Sequence, residues 1–306
     1  MRRLAALLLI GMVLAVASDG FLTAGNLFNL ARQTSFLFII ASGATLVILA
    51  GGIDLSVGAN LGLSAAVAAT VIKATGSAAL GILAAPAFGL LIGLINGCLV
   101  AVLRVPAFIA TYGMLWVVQG LTYLYLPGGA IYGFPPEFRA IGTGSLLGLP
   151  VPVLVMGIFL AIGGLLLHAT TFGQDIYAIG ANPEASRLSG IPLRRRLVAL
   201  YGVSGAMAGL AAVIYLARVN SAEAGIGEPL LLPAIAAVLV GGTSLMGGVG
   251  GVTGTLVGAA ILTLLANGMN LLTIDAAWQP LATGVIVLLA VAVDMLSRRR
   301  LTVRSR

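Results

Sequence analysis

An acidic residue between two apolar runs is the first place in this chain where chemistry is concentrated. Gly51-Gly52-Ile53-Asp54-Leu55-Ser56-Val57-Gly58 separates runs at 34–50 and 57–72. A carboxylate at that depth in a bilayer costs several kcal/mol unless it is paired or solvated. The glycines let the backbone unwind and pack closely. A broken helix with a buried polar side chain is how transporters build midplane sites and gates. The plainer reading is that Asp54 and Ser56 satisfy free N–H groups at a helix start. The remaining intramembrane polar residues are neutral: Asn60, Ser64, Asn96, Thr111, Gln119, Thr243, Thr255, Asn267 and Asn270. A path lined by such groups suits a neutral, hydroxylated solute, although each of them alone is explained by helix–helix hydrogen bonding.

Several chemistries are excluded. Lys73 is the only lysine and Ala74 follows it, so no Gly-x-x-x-x-Gly-Lys-Ser/Thr loop exists to cradle a nucleotide. His168 is the only histidine, at the end of an apolar run and without partners for metal binding or hydrolysis. Cys98 is the only cysteine; it is expected to be a small packing residue, with no intramolecular disulfide. No metal cluster and no catalytic set is visible, so the chain is not expected to be an enzyme.

The elements that must hold these residues are membrane spans. Hydrophobic residues make up 60% of the 306 positions and charged ones 8%, against about 25% charged in soluble domains. Mean hydropathy is +1.13. The net charge of +7 does not point to nucleic acid, because the basic residues cluster at span ends. Apolar runs predict about ten spans: 4–17, 30–50, 56–72, 78–103, 106–126, 151–168, 198–217, 231–247, 250–272 and 279–296. Residues 127–150 form a Pro/Gly-rich loop, and residues 169–197 the longest polar segment. Ala15-Val16-Ala17 resembles a signal-peptide cleavage site, but a polytopic chain needs no separate export signal, and retention of the first run is expected. Ten crossings put both termini on one side. Arg2, Arg3, Arg104, Arg187, Arg194, Arg195, Arg196, Arg298, Arg299, Arg300, Arg304 and Arg306 then share that side with 169–197; Arg32, Lys73, Arg139 and Arg218 face the other. This bias predicts cytoplasmic termini. Asp294 lies close enough to that side to reach the interface.

Two further stretches carry information. Gly241-Gly242-Thr243-Ser244-Leu245-Met246-Gly247-Gly248 repeats the first, second, fifth and eighth residues of the opening stretch, and the span count gives both copies the same orientation. In the polar segment, Asn182 is a good N-cap, Pro183 a good first helical residue and Glu184 suits the positive end, while Ser189-Gly190 and Pro192 end the helix. A helix of about two turns is predicted there. Ala185 and Leu188 share a small apolar face, flanked by Ala181 and Ile191; Glu184 and Arg187 lie beside it.

With Ile235-Ala236-Ala237 running into Gly241, these motifs together resemble the ribose-type permease family, the membrane subunits of bacterial ATP-binding-cassette sugar importers. The resemblance covers about 20–296. It implies an all-α polytopic bundle with broken helices, a single domain over 1–306, in the bacterial inner membrane. It implies a second permease subunit, two cytoplasmic ATPase subunits that bind the ATP and magnesium, and a periplasmic sugar-binding protein; this chain itself holds no cofactor. It also makes 182–190 the helix that docks in the ATPase, with Asn182, Glu184, Ala185, Arg187, Leu188, Ser189 and Gly190 as coupling residues. Gly51, Gly52, Asp54, Ser56, Asn60, Asn96, Thr111, Gln119, Gly241, Gly242, Thr243 and Ser244 become candidates for the pathway and its gate. Members of this family often carry acidic residues just before the Ile-Ala-Ala run; here that place is Leu230-Leu231-Leu232-Pro233-Ala234, with Glu228 earlier. The rival readings are a permease for nucleosides or branched-chain amino acids, and an ion-coupled secondary transporter, against which the sparse intramembrane charge argues.

Overall fold

A computed structural model describes residues 2–304; the side chains of Asp294 and of the arginines after it lie outside the described residues. The chain is a helical bundle. The first five helices are α1 (Arg2–Ala17), α2 (Ala24–Leu49), α3 (Val57–Thr75), α4 (Ala78–Ala101) and α5 (Ala107–Tyr125). A structured connection follows: β1 (Ile131–Tyr132), α6 (Pro136–Thr143), then β2 (Ser145–Leu146) and β3 (Leu149–Pro150). Next come α7 (Val151–Ala169), α8 (Thr171–Ala181), α9 (Pro183–Leu188) and α10 (Leu193–Val219). After β4 (Ser221–Ala222), a 3-10 turn at Glu228–Leu230 leads into α11 (Leu231–Val240), α12 (Val252–Leu271) and α13 (Trp278–Arg304). The strands are two residues each, β1 pairing with β4 and β2 with β3, both antiparallel.

Seven helices are long and apolar enough to cross a membrane; Arg3–Ala17, Glu228–Val240 and Trp278–Ala292 are shorter apolar helices among the described residues. Two sequence expectations change. The span expected at 231–247 is a helix of only ten residues, about 15 Å long. It stops at Gly241-Gly242, where Gly242 adopts φ +81°, and 241–251 is irregular. The Pro/Gly-rich loop at 127–150 is not featureless, because α6 packs Phe138 into the core.

The centre is α2, buried on every side from Thr34 to Leu49. Around it, α10 and α4 pack antiparallel at backbone distance. Gly89, Gly93 and Gly97 recur every fourth residue on α4, and a side chain at any of them would overlap the α10 backbone at Gly205, Tyr201 or Val198. Such spacing drives close helix association in lipid, where the hydrophobic effect gives no help. Cys98 is exposed on the outer face of α4 rather than packed. The residue pairings place the 50–56 turn in the lower half of the bundle, below the middle of α4 and α10, and β1, β4 and α6 at the upper end.

Candidate translocation site and coupling segment

Asp54 is 2% exposed and has hydroxyl and amide partners rather than a cation. Its Oδ1 accepts the Ser56 N–H (3.0 Å) and the Ser56 hydroxyl (2.7 Å); its Oδ2 accepts the Ser204 hydroxyl from α10 (2.9 Å). Asn96 Nδ2 on α4 donates to Ser56 Oγ at 2.7 Å. The neighbouring Ile53 carbonyl accepts from Tyr201 Oη on α10 (3.1 Å) and Thr111 Oγ1 on α5 (3.3 Å). Ser56 is the residue from which α3 starts. The break therefore ties the head of α3 to three other helices. The two ion pairs among the described residues lie elsewhere, at Glu184–Arg187 and Asp175–Arg196.

The neutral polar residues serve helix contacts. Asn60 Nδ2 donates to the Gly89 carbonyl (3.1 Å) and its Oδ1 accepts from Ser64 (3.0 Å). Thr255 meets Thr45 (2.7 Å), Asn267 Nδ2 donates to Asn26 Oδ1 (2.7 Å), and Asn270 accepts from Gln279 (2.9 Å). Gln119 on α5 is buried, and its Nε2, like Asn96 Oδ1, has no partner.

The second glycine-rich turn is built differently. Thr243 Oγ1 accepts the Gly251 N–H (3.3 Å), Ser244 N–H donates to the Val249 carbonyl (2.9 Å), and Arg3 Nη1 of α1 donates to the Gly241 carbonyl (2.7 Å). The pairs Thr45–Thr255 and Asn26–Asn267 make α2 antiparallel to α12; Gly241–Gly254 and Ala237–Gly258 make α11 antiparallel to α12 as well. So α2 and α11 run the same way into their turns, and the turns touch: the Gly248 N–H donates to the Leu49 carbonyl at 2.8 Å.

Gly180 of α8 is wedged between them. A Cβ there would overlap both the Leu49 carbonyl and the Gly248 nitrogen. One turn earlier, Tyr177 Oη donates to the Gly250 carbonyl (2.8 Å), and burial pushes its phenol pKa up. Only Ala181 and Asn182 separate Gly180 from α9. There Asn182 Oδ1 accepts the Ala185 N–H (3.0 Å), Pro183 is the first helical residue, and Gly190 turns the chain at φ +84°. Ser189 Oγ donates back to the Ala185 carbonyl (2.9 Å). Leu188 is 73% exposed, and Ala185 beside it is exposed too. Glu184 and Arg187 pair with each other at 2.6 Å; that hydrogen bond, then the guanidinium's charge, holds the Glu184 carboxyl below the usual range. Asp175 pairs with Arg196 (2.7 Å) and clasps α8 to α10.

The family model described as "Branched-chain amino acid transport system / permease component" matches residues 26–292. The ribose import permease protein RbsC of Escherichia coli (strain K12) is 44% identical over 297 residues, covering 96% of this chain and 92% of that protein. The chain belongs to the ribose-type permease family. RbsC of Bacillus subtilis (strain 168) is 41% identical to this permease over 290 residues, covering 94% and 90% of the two chains. The galactose/methyl galactoside import permease protein MglC of Haemophilus influenzae is 35% identical over 309 residues, covering 95% and 92%. No solved structure matches it. The permease is thus a multi-pass membrane protein. Sequence reasoning missed Tyr201, Ser204, Tyr177 and Gly180, which join its motifs. A hydroxyl inside an apolar run was the available signal for Ser204; nothing marked Gly180 among 42 glycines.

Proposed function

We propose that this permease moves a small sugar or polyol across the bacterial inner membrane by alternating access, driven by ATP hydrolysis in separate ATPase subunits. One observation carries this reading: the short capped helix α9, with Leu188 outward, continues within three residues into Gly180, which touches both glycine-rich turns. A partner that moves α9 moves both turns. Pieces shorter than about 12 residues are marginal as isolated helices in water, so α9 suits a partner's cleft. The sugar assignment is supported by ribose and galactose permeases among the relatives. The basic-residue bias supports cytoplasmic termini and a cytoplasmic α8–α9 segment. By the family resemblance, two such permeases assemble with two ATPases, which hold ATP and magnesium, and a periplasmic binding protein.

The test is ribose uptake into proteoliposomes holding the complete complex. Uptake should require ATP and the ATPase subunit. Leu188→Asp should release the ATPase or uncouple hydrolysis from uptake, since central apolar anchors carry most interface energy. Uptake driven by a proton or sodium gradient without the ATPase would refute the reading. Uptake of a branched-chain amino acid in place of sugar would move the substrate to the class that the family description names.

A further inference from the structure

The stretch between β4 and α11 places a carboxylate where lipid does not accept one. Asn60 on α3 donates to Gly89, halfway along the 24-residue α4. Gly58 and Gly62 flank Asn60, and both face Gly227: a side chain on Gly58 would meet the Gly227 carbonyl, and one on Gly227 the Gly58 carbonyl. Residue 227 is therefore at mid-height in the bundle, although β4, five residues earlier, is paired with β1 at the upper end. The irregular 223–227 backbone runs down from that end into the bundle. Non-helical backbone at that depth is tolerated where it is buried in protein or lines a water-filled cavity. Glu228, next in sequence, is exposed and in no ion pair among the described residues. A midplane carboxylate needs water or polar partners, and this one has a single hydrogen bond among the described residues, from Tyr123.

Glu228 and the face of α5 that leads to it carry groups suited to carbohydrate recognition. Tyr123 Oη on α5 donates to Glu228 Oε1 at 3.0 Å, leaving the second carboxylate oxygen open. Trp116, two turns before Tyr123 on the same face of α5, is 60% exposed, and Tyr112 packs edge-on against it. Glu228 also borders a cavity of ≈ 890 Å³ beside α10, α12 and α13, where Gln33, Arg218 and Gln279 contribute polar groups. Ring faces for the C–H side of a sugar, with a few fixed polar groups for its hydroxyls, make up a typical small-ligand site.

We propose that Glu228, Tyr123 and Trp116 line a sugar-contacting stretch of the permeation path around the bilayer midplane. Glu228 accepts sugar hydroxyls through its free oxygen, Tyr123 fixes the carboxylate's orientation, and the Trp116 ring stacks on the sugar. This rests on the sugar-permease reading above, and the test separates the two.

Trp116→Cys and Glu228→Cys, each in a Cys98→Ala background and in the complete complex, are treated with a charged, membrane-impermeant thiol reagent, with and without ribose and binding protein during turnover. Both cysteines should react, and ribose should slow the reaction. In parallel, Glu228→Gln should lower the ribose uptake rate about tenfold or more, the scale of a lost charged hydrogen bond, with Glu228→Asp intermediate and the assembled complex recovered in normal yield. Unreactive cysteines would mean a lipid-covered or packed face and would overturn the proposal, as would unchanged uptake by Glu228→Gln. If the wild-type complex carried no sugar while both cysteines reacted, the aqueous path would stand and its assignment to sugar would fall with the functional reading.

Discussion

The two glycine-rich turns share a motif and a direction, yet are held by opposite means. The turn at 50–56 is held sideways by side chains: Asp54, Ser56, Asn96, Thr111, Tyr201 and Ser204 bind it to α4, α5 and α10. The turn at 241–251 is folded largely on its own backbone, with Gly242, Gly247 and Gly248 at positive φ and Thr243 closing it internally, while Arg3, Tyr177 and the Leu49 carbonyl bond its main chain from outside. The first is a fixed corner of the α3–α4–α10 core; the second is a folded strap seated on it. A carboxylate appears only in the turn that has hydroxyl donors from neighbouring helices to satisfy it.

The point shared by both turns should be the most sensitive. Gly180→Val forces a side chain into two backbones, an overpacking with no flexible neighbour to yield, and should cost about 3 kcal/mol or more. Loss of monodisperse protein from detergent extracts would show it; a normal yield and melting temperature would mean that the turns do not meet at α8. Next in size are the turns themselves. Asp54→Leu leaves the Ser56 N–H and two hydroxyls without an acceptor, about 2–4 kcal/mol by the usual cost of buried unpaired groups. Asp54→Asn keeps an acceptor, so the complex should assemble while transport slows. Thr243→Val leaves a single donor, the Gly251 N–H, without its acceptor, about 1 kcal/mol for so long a bond. Thermal unfolding in detergent ranks the three, and equal losses for Asp54→Leu and Thr243→Val would erase the distinction drawn here.

The smallest effect is expected outside the bilayer. The Glu184 carboxyl titrates below its ordinary range, so whatever its pair with Arg187 contributes is present above that range and fades as pH falls through the lowered value. Both side chains are well exposed, and surface pairs contribute little. Glu184→Ala should leave unfolding at pH 7 and pH 4 alike and keep the ATPase bound, in contrast to Leu188→Asp; a melting-temperature difference confined to pH 7 would give the pair a structural role.

Much of the frame was legible because its signals are local. The break after Ala50 follows from two glycines and an acid between apolar runs, and α9 from Asn182-Pro183 at one end and Gly190 at the other. Same-direction copies followed from counting spans. What escaped depends on contacts between distant residues. Asp54 and Ser204 are 150 positions apart, and polarity within an apolar run does not say which neighbour it will meet. The shortness of α11 escaped because its apolar run continues through Leu245-Met246, beyond the point where Gly242 turns the backbone. Glu228 read as a displaced family residue, since its depth is set by a glycine–glycine contact that hydropathy does not register.

The contact between Arg3 and Gly241 joins parts of the chain that are synthesised far apart in time. Helix α1 packs on α12, with Leu14 against Gly268 and Arg3 on the carbonyl that ends α11. When α1 leaves the ribosome, the surface it will occupy is more than two hundred residues from being made. A peptidase cut after Ala17 would remove the helix whose arginine holds the Gly241 carbonyl of the second turn.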